Sequence, residues 1–166
     1  FVRMGRYESK VGLWPEPAVA VTGIWQEGDE IIQEIRSVGG PAFSLTGMMS
    51  RAEGVLRVDI LKGEDATEGC IRTQALRHVI IGIDNTDRLE EGATFALAIA
   101  LLDYLSELSG TFPIGHHIAM LWQALPEKTA GNSCSSIELA VVPEKLDLIR
   151  KAAVRFVGDE SVSDGW

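Results

Sequence analysis

The stretch that most constrains this chain runs from His78 to Thr94, HVIIGIDNTDRLEEGAT. Residues 79–83 are short, apolar and rich in β-branched side chains, which reads as a buried strand. Asp84, Asn85, Thr86 and Asp87 follow at once, where a strand must end, and from Gly92 the pattern turns helical. A strand, an acidic loop and a helix in that order bring several oxygen ligands to one edge of a sheet. Such an edge suits a hard cation and the phosphates it carries.

The rest of the chain gives that unit a globular setting. Hydrophobic residues make up 46% of the sequence and charged residues 23%, a balance that builds a core rather than a disordered chain. The net charge of -9 argues against binding nucleic acid by general electrostatics, because phosphate contacts need clustered Lys and Arg. Cys70 and Cys134 are the two cysteines. Neither has zinc-site spacing, so a reduced, cytoplasmic setting is expected. No secretory signal is visible, and the longest apolar stretch, residues 93–102, is too short to span a bilayer; no membrane association is expected. The chain opens at Phe1 without a Met and ends in DESVSDGW, which reads as a piece of a longer protein.

The fold class expected is α+β, with layered α/β character: a mixed β-sheet packed with helices, and a long buried helix over residues 92–109 after the GIDNTD strand. Residues 18–25 (AVAVTGIW) and 31–36 (IIQEIR) read as a hairpin around Gly28 and Asp29. Residues 43–52 read as helix. Residues 55–61 alternate, with Leu56, Val58 and Ile60 on one face. The acidic loop 63–69 marks a boundary between a β-rich portion, 1–69, and an α/β portion, 70–166. Residues 92–109 are apolar nearly all round, which predicts burial, and Gly110 supplies the stop. Strands are expected at 113–122 and 136–142, joined by a loop over 124–132. A last helix starts at Pro143, with Leu146, Ile149 and Ala153 as its apolar stripe and with Arg150 and Lys151 near its end. Trp14, Trp25 and Trp122 are expected in a core or an interface.

Two loops carry the candidate chemistry. Asp84 and Asp87 are three residues apart, and magnesium takes a few carboxylates plus water and substrate phosphate oxygens. The plainer reading is that both acids cap turns. Thr94 stands at a helix start, where backbone N–H groups and the dipole favour anions; a helix cap is its plainer role. Lys128, Thr129, Gly131 and Asn132 supply the parts of a phosphate-binding loop, a cation beside backbone donors, although the order is not that of a GxxxxGK[ST] loop. His116 and His117 are adjacent and, in a strand, point to opposite faces. Cys134 lies near the second loop and reads as a small buried apolar group.

The motifs GIDNTD, GAT at a helix start and PEKTAGN before a strand, in that order over about residues 78–142, resemble the kinase-type domain of the archaeal isoleucine-tRNA agmatidine synthetases. That family carries GIDDTD, then a Cys-Thr-Thr, then KTRGN. Asn85 stands here in place of the second acid, Ala93-Thr94-Phe95 in place of Cys-Thr-Thr, and Ala130 in place of the arginine. Residues 1–77 have no counterpart there. The extended N-terminal portion and the EEGAT and KTAGNSCSS loops are more similar to the methanogenesis marker protein 11 family. The resemblance implies ATP and Mg2+ as cofactors, with Asp84 and Asp87 on the metal, and Asp84, Asp87, Thr94 and Lys128 as the catalytic set. Thr86, Gly92, Thr129, Gly131 and Asn132 would then hold the nucleotide. In the synthetases the threonine matching Thr94 is itself phosphorylated. The implied partners are a nucleotide and either RNA or a protein of the methanogenesis machinery. The implied activity is that of a kinase-like phosphotransferase, or of a ligase-type ATP-using domain. The alternative is a catalytically reduced accessory module for assembly or maturation of that machinery.

Overall fold

The computed structural model describes residues 3–39, 47–62, 65–126, 128 and 131–162. The chain divides into two compact units, residues 1–75 and 76–166, and both are antiparallel throughout.

The first unit is a five-stranded sheet. β1 (Gly5–Arg6), β2 (Val19–Glu27), β3 (Glu30–Ser37), β4 (Val55–Lys62) and β5 (Thr67–Gln74) lie in the order β1-β2-β3-β5-β4. The β2–β3 hairpin closes as expected: Glu27 pairs with Glu30, and Gly28 takes the positive φ of 60° that the tight turn requires. β5 starts within the loop expected over residues 63–69. Its buried face is Thr67, Gly69 and Ile71, so a threonine and a glycine stand where a strand pattern would show large apolar residues. The unit therefore continues past Gly69 to Ala75. In β4 a register shift lies between Val55 and Arg57 and Leu56 is exposed; Ile60, in regular register, is exposed as well, so the face expected from Leu56, Val58 and Ile60 is not buried. Of the helix expected over residues 43–52, residues 47–49 are helical and 43–46 lie outside the described residues.

The second unit is a two-layer α/β sandwich. β6 (Arg77–Ile83), β7 (Thr111–Met120) and β8 (Ser133–Val141) form a sheet in the order β6-β8-β7. Two helices, α1 (Thr94–Ser106) and α2 (Leu146–Glu160), pack with it, and α2 is preceded by a 3-10 turn over Pro143–Lys145. The α+β expectation holds, with two antiparallel sheets where one mixed sheet was expected. β6 and β7 run the same way on either side of β8, so α1 is the crossover between them, and β7 and β8 form a hairpin. The core joins the inner faces of all these elements: Ile83, Ile137, Leu139 and Val141 from the strands, Ala98, Leu101 and Leu105 from α1, and Ile149, Ala153 and Val157 from α2. Tyr104 and Phe156 stack at 4.9 Å between the helices.

Both helices differ from expectation in a physically instructive way. α1 is shorter than residues 92–109 and buries one face, Thr94, Ala98, Leu101 and Leu105. Phe95 and Ile99 on its other side are 49% and 42% exposed. An all-apolar helix needs more than one covering layer to be buried all round, and this unit has one sheet. α2 runs to Glu160, which puts Arg150 and Lys151 in mid-helix, and its stripe is Ile149, Ala153 and Val157, with Leu146 at the exposed margin. Trp14 and Trp122 are exposed rather than core residues, while the ring of Trp25 lies under the Arg6 guanidinium, 5.8 Å from its centroid. Among the described residues no helix is long and apolar enough to cross a membrane.

Candidate functional site

The antiparallel register decides where the two chemistry-bearing loops emerge. Ile83 at the end of β6 faces Ser135, and Met120 at the end of β7 faces Ser133. The loop after β6 and the loop between β7 and β8 therefore leave the same edge of the sheet. They border a cleft of about 390 Å³ lined by Asp84, Asn85, Asp87, Gly92, Ala93, Thr94, Phe95, Leu125, Lys128, Gly131, Asn132 and Ser133. Residues that are distant in sequence, Asp84 and Asp87 on one side and Lys128 and Gly131 on the other, thus share one opening.

The first loop is held by its backbone. Asn85 has a φ of 55°, a left-handed conformation that asparagine tolerates better than most residues because its short polar side chain bonds locally. Its N–H donates to Asp84 Oδ1 at 2.9 Å. Arg88 N–H bonds Glu91 O at 2.8 Å, which closes the loop upon itself. Thr86 is buried and anchors the loop from beneath: its carbonyl accepts from Ser161 Oγ at 3.3 Å and from Val162 N–H at 3.2 Å. Thr86 does not line the cleft. Its hydroxyl donates to Thr94 Oγ1 at 3.1 Å, so the loop is tied to the start of α1.

Gly92 and Ala93 then deliver the chain into the helix. Gly92 has a φ of 84°, and a Cβ there would meet Val162 Cγ2 at 2.8 Å and Asp87 Cα at 3.3 Å. The position admits glycine on both conformational and steric grounds. Ala93 is the N-cap and offers no side-chain oxygen, so the first N–H groups of α1 are left for solvent or a ligand on the cleft side. Thr94 is 7% exposed. Its hydroxyl is paired with that of Thr86, and a hydroxyl can both donate and accept.

The second loop is pinned by a reciprocal clamp. Asn132 Nδ2 donates to Trp122 O at 2.7 Å, Gln123 Nε2 donates to Asn132 O at 2.6 Å, and Asn132 N–H donates to Gln123 Oε1 at 3.4 Å. Asn132 thus holds the loop through one side-chain N–H and through its backbone, and it also borders the cleft. Gln123 is its unforeseen partner, legible only once the strand register is known. Lys128 lines the cleft and is half-buried. Thr129 and Ala130 lie outside the described residues. Phe95, Leu125 and Ser133 also line the cleft and were not singled out from the sequence; Phe95 and Leu125 give it an apolar component.

The remaining candidates lie elsewhere. His116 and His117 do point to opposite faces of β7. His117 Nε2 bonds Glu138 Oε2 at 2.9 Å and His78 bonds the other oxygen of the same carboxylate. These bonds, from His117 first and His78 second, hold the Glu138 carboxyl below its usual range. Cys70 and Cys134 are free and half-buried, and burial pushes the Cys70 thiol up. Among the described residues no cluster of three or more His, Cys, Asp or Glu side chains is set to hold a metal. Any cation in the cleft would rest on Asp84 and Asp87 with oxygens from a ligand.

The chain is similar to an uncharacterized protein of the archaeon Methanocaldococcus jannaschii, 34% identical over 117 residues. The match takes in 68% of this chain and 39% of that protein. No family model matches the chain, and no solved structure matches it.

Proposed function

We propose that the second unit is an ATP- and Mg2+-dependent phosphoryl-transfer domain of an archaeal cytoplasmic protein. The observation that carries this reading is the cleft itself. Two carboxylates, a lysine and the uncapped start of α1 meet there, although they come from separate loops. The donor set suits the ligand: hard oxygens for a small divalent cation, which commonly binds through one or two carboxylates and substrate phosphates, with N–H groups and a cation for the remaining phosphate charge. When bound, the metal neutralises charge on the phosphate oxygens. Phosphoryl transfer asks a protein mainly for positioning and charge neutralisation. Lys128 supplies positive charge beside the transferred group, Thr94 presents its hydroxyl, held by that of Thr86, to a phosphate oxygen, and Gly92 and Gly131 let the backbone approach closely. Thr86 and Asn132 keep the two loops in place.

Calorimetric titration of Mg2+-ATP into the chain tests the proposal. Binding is expected for the parent, with a loss of at least about tenfold in Asp84→Ala, the effect of removing one charged ligand. An absence of heat with the parent overturns the reading. A second reading, a nucleotide-binding accessory module without turnover, is favoured by one feature: Asn85 puts an amide on the cleft where the similar synthetase motif has a carboxylate. The methanogenesis machinery is the setting implied by the resemblance to the methanogenesis marker protein 11 family. Binding of ATP with no phosphate transferred to tRNA or to candidate proteins by the full-length protein would select it.

A further inference from the structure

We infer that Phe95, with Leu125, forms a nucleobase platform, so that the cleft selects nucleotides over bare polyphosphates. The inference rests on the nucleotide reading above and assigns the side of the cleft which that reading leaves unused. Phe95 follows Thr94 at the first turn of α1. Thr94 is buried at the N-terminal end of the helix face that carries Ala98, Leu101 and Leu105, at the margin of the cleft, and the next residue is turned about 100° round the helix. Phe95 therefore contributes little to the core and stands 49% exposed on the cleft. A single exposed apolar side chain needs no explanation. Here, however, Leu125, from the other loop and also exposed, lines the same cleft. Every other lining residue is polar, glycine or alanine.

A cleft with charged donors and one aromatic face fits a ligand that is charged at one end and flat and apolar at the other. A nucleoside triphosphate has that form, and an inorganic phosphate chain does not. Phe95 also lies one residue past Thr94, so a ligand whose phosphates meet the start of α1 has the ring beside it. Base–aromatic stacking is tolerant of base identity, so the platform adds affinity for nucleotides as a class.

Two probes and two variants test this by calorimetry: Mg2+-ATP and Mg2+-tripolyphosphate against the parent chain, Phe95→Ala and Phe95→Trp. The parent is expected to bind ATP about tenfold tighter than tripolyphosphate. Phe95→Ala should lose that advantage while binding tripolyphosphate unchanged, and Phe95→Trp should restore it. The half-exposed ring predicts an unaltered fold, which circular dichroism of Phe95→Ala verifies. If Phe95→Ala binds ATP as the parent does, weakens both probes alike, or if the parent does not distinguish the probes, the platform is overturned and the phosphate site stands. If neither probe binds the parent, the phosphate site falls and the platform with it.

Discussion

Asn85 decides two questions at once. It occupies left-handed backbone at a φ of 55° while lining the cleft. The conformational role predicts a stability order. Asn85→Ala should cost about 1 kcal/mol in urea unfolding, since a Cβ without a local hydrogen bond is strained there, whereas Asn85→Gly should stay within about 0.5 kcal/mol of the parent. Equal stability of the alanine and glycine variants would show that the backbone there relaxes freely. Aspartate shares asparagine's tolerance of this region, so Asn85→Asp adds a carboxylate to the cleft without reshaping the loop. Glu138 allows a separate prediction. Its carboxyl is held low by His117 and His78, so the unfolded chain binds its proton more readily. The contribution to stability is present above the ordinary carboxylate range and is lost as pH falls through the lowered value. Urea midpoints followed from about pH 6 down to pH 3 should fall more steeply for the parent than for Glu138→Gln; parallel curves would rule the linkage out.

The helices and strands show what could be seen beforehand and what could not. The GIDNTD strand and loop, the β2–β3 hairpin, the β7 and β8 strands and the loop before Ser133 were legible because each carries its own signal: β-branched runs, a Gly-Asp turn, a Pro-Gly-Asn break. The burial expected of the GIDNTD strand was not met, because β6 lies at the sheet edge with Ile80 63% exposed. β5 was hidden, since its buried positions hold Thr67 and Gly69, and burial in its sheet comes from neighbours that no local window reveals. The break at Leu56 was hidden for the same reason, a pairing irregularity with no mark in composition. α1 was legible as a helix and misleading about its burial, because apolar character all round records what can be covered and not what is. A pair of substitutions separates its faces. Leu101→Ala, at a fully buried position, should lose about 2–5 kcal/mol. Ile99→Ala, on the open side, should lose under about 1 kcal/mol by the same urea measurement. Equal losses would mean that the open face is covered in solution. Of the candidate site, the residue types were visible in the motifs, but the division of labour was not: Thr86 holds its loop from outside the cleft, while Asn132 both pins the second loop and lines the cleft with Asp84, Asp87, Thr94 and Lys128.

The molecule as a whole carries a net charge of -9, which disfavours long-range capture of a polyanion. On the proposed reading the cleft answers this locally, with one lysine, a helix start and two carboxylates for a divalent cation, and a ligand of a few phosphates suits it better than a tract of nucleic acid backbone. Each unit closes a sheet from its own residues. In the second unit the two loops of the cleft hang from β6 and β7, which do not touch each other in the sheet; both are registered through β8. Among the described strands, β8 is the last to leave the ribosome. Until it inserts, the acidic loop and the lysine loop have no common frame, and the nascent chain holds two separate halves of a site. Because joining strands so distant in sequence is a slow, non-local step, the binding surface matures late, when the sheet beneath it is complete.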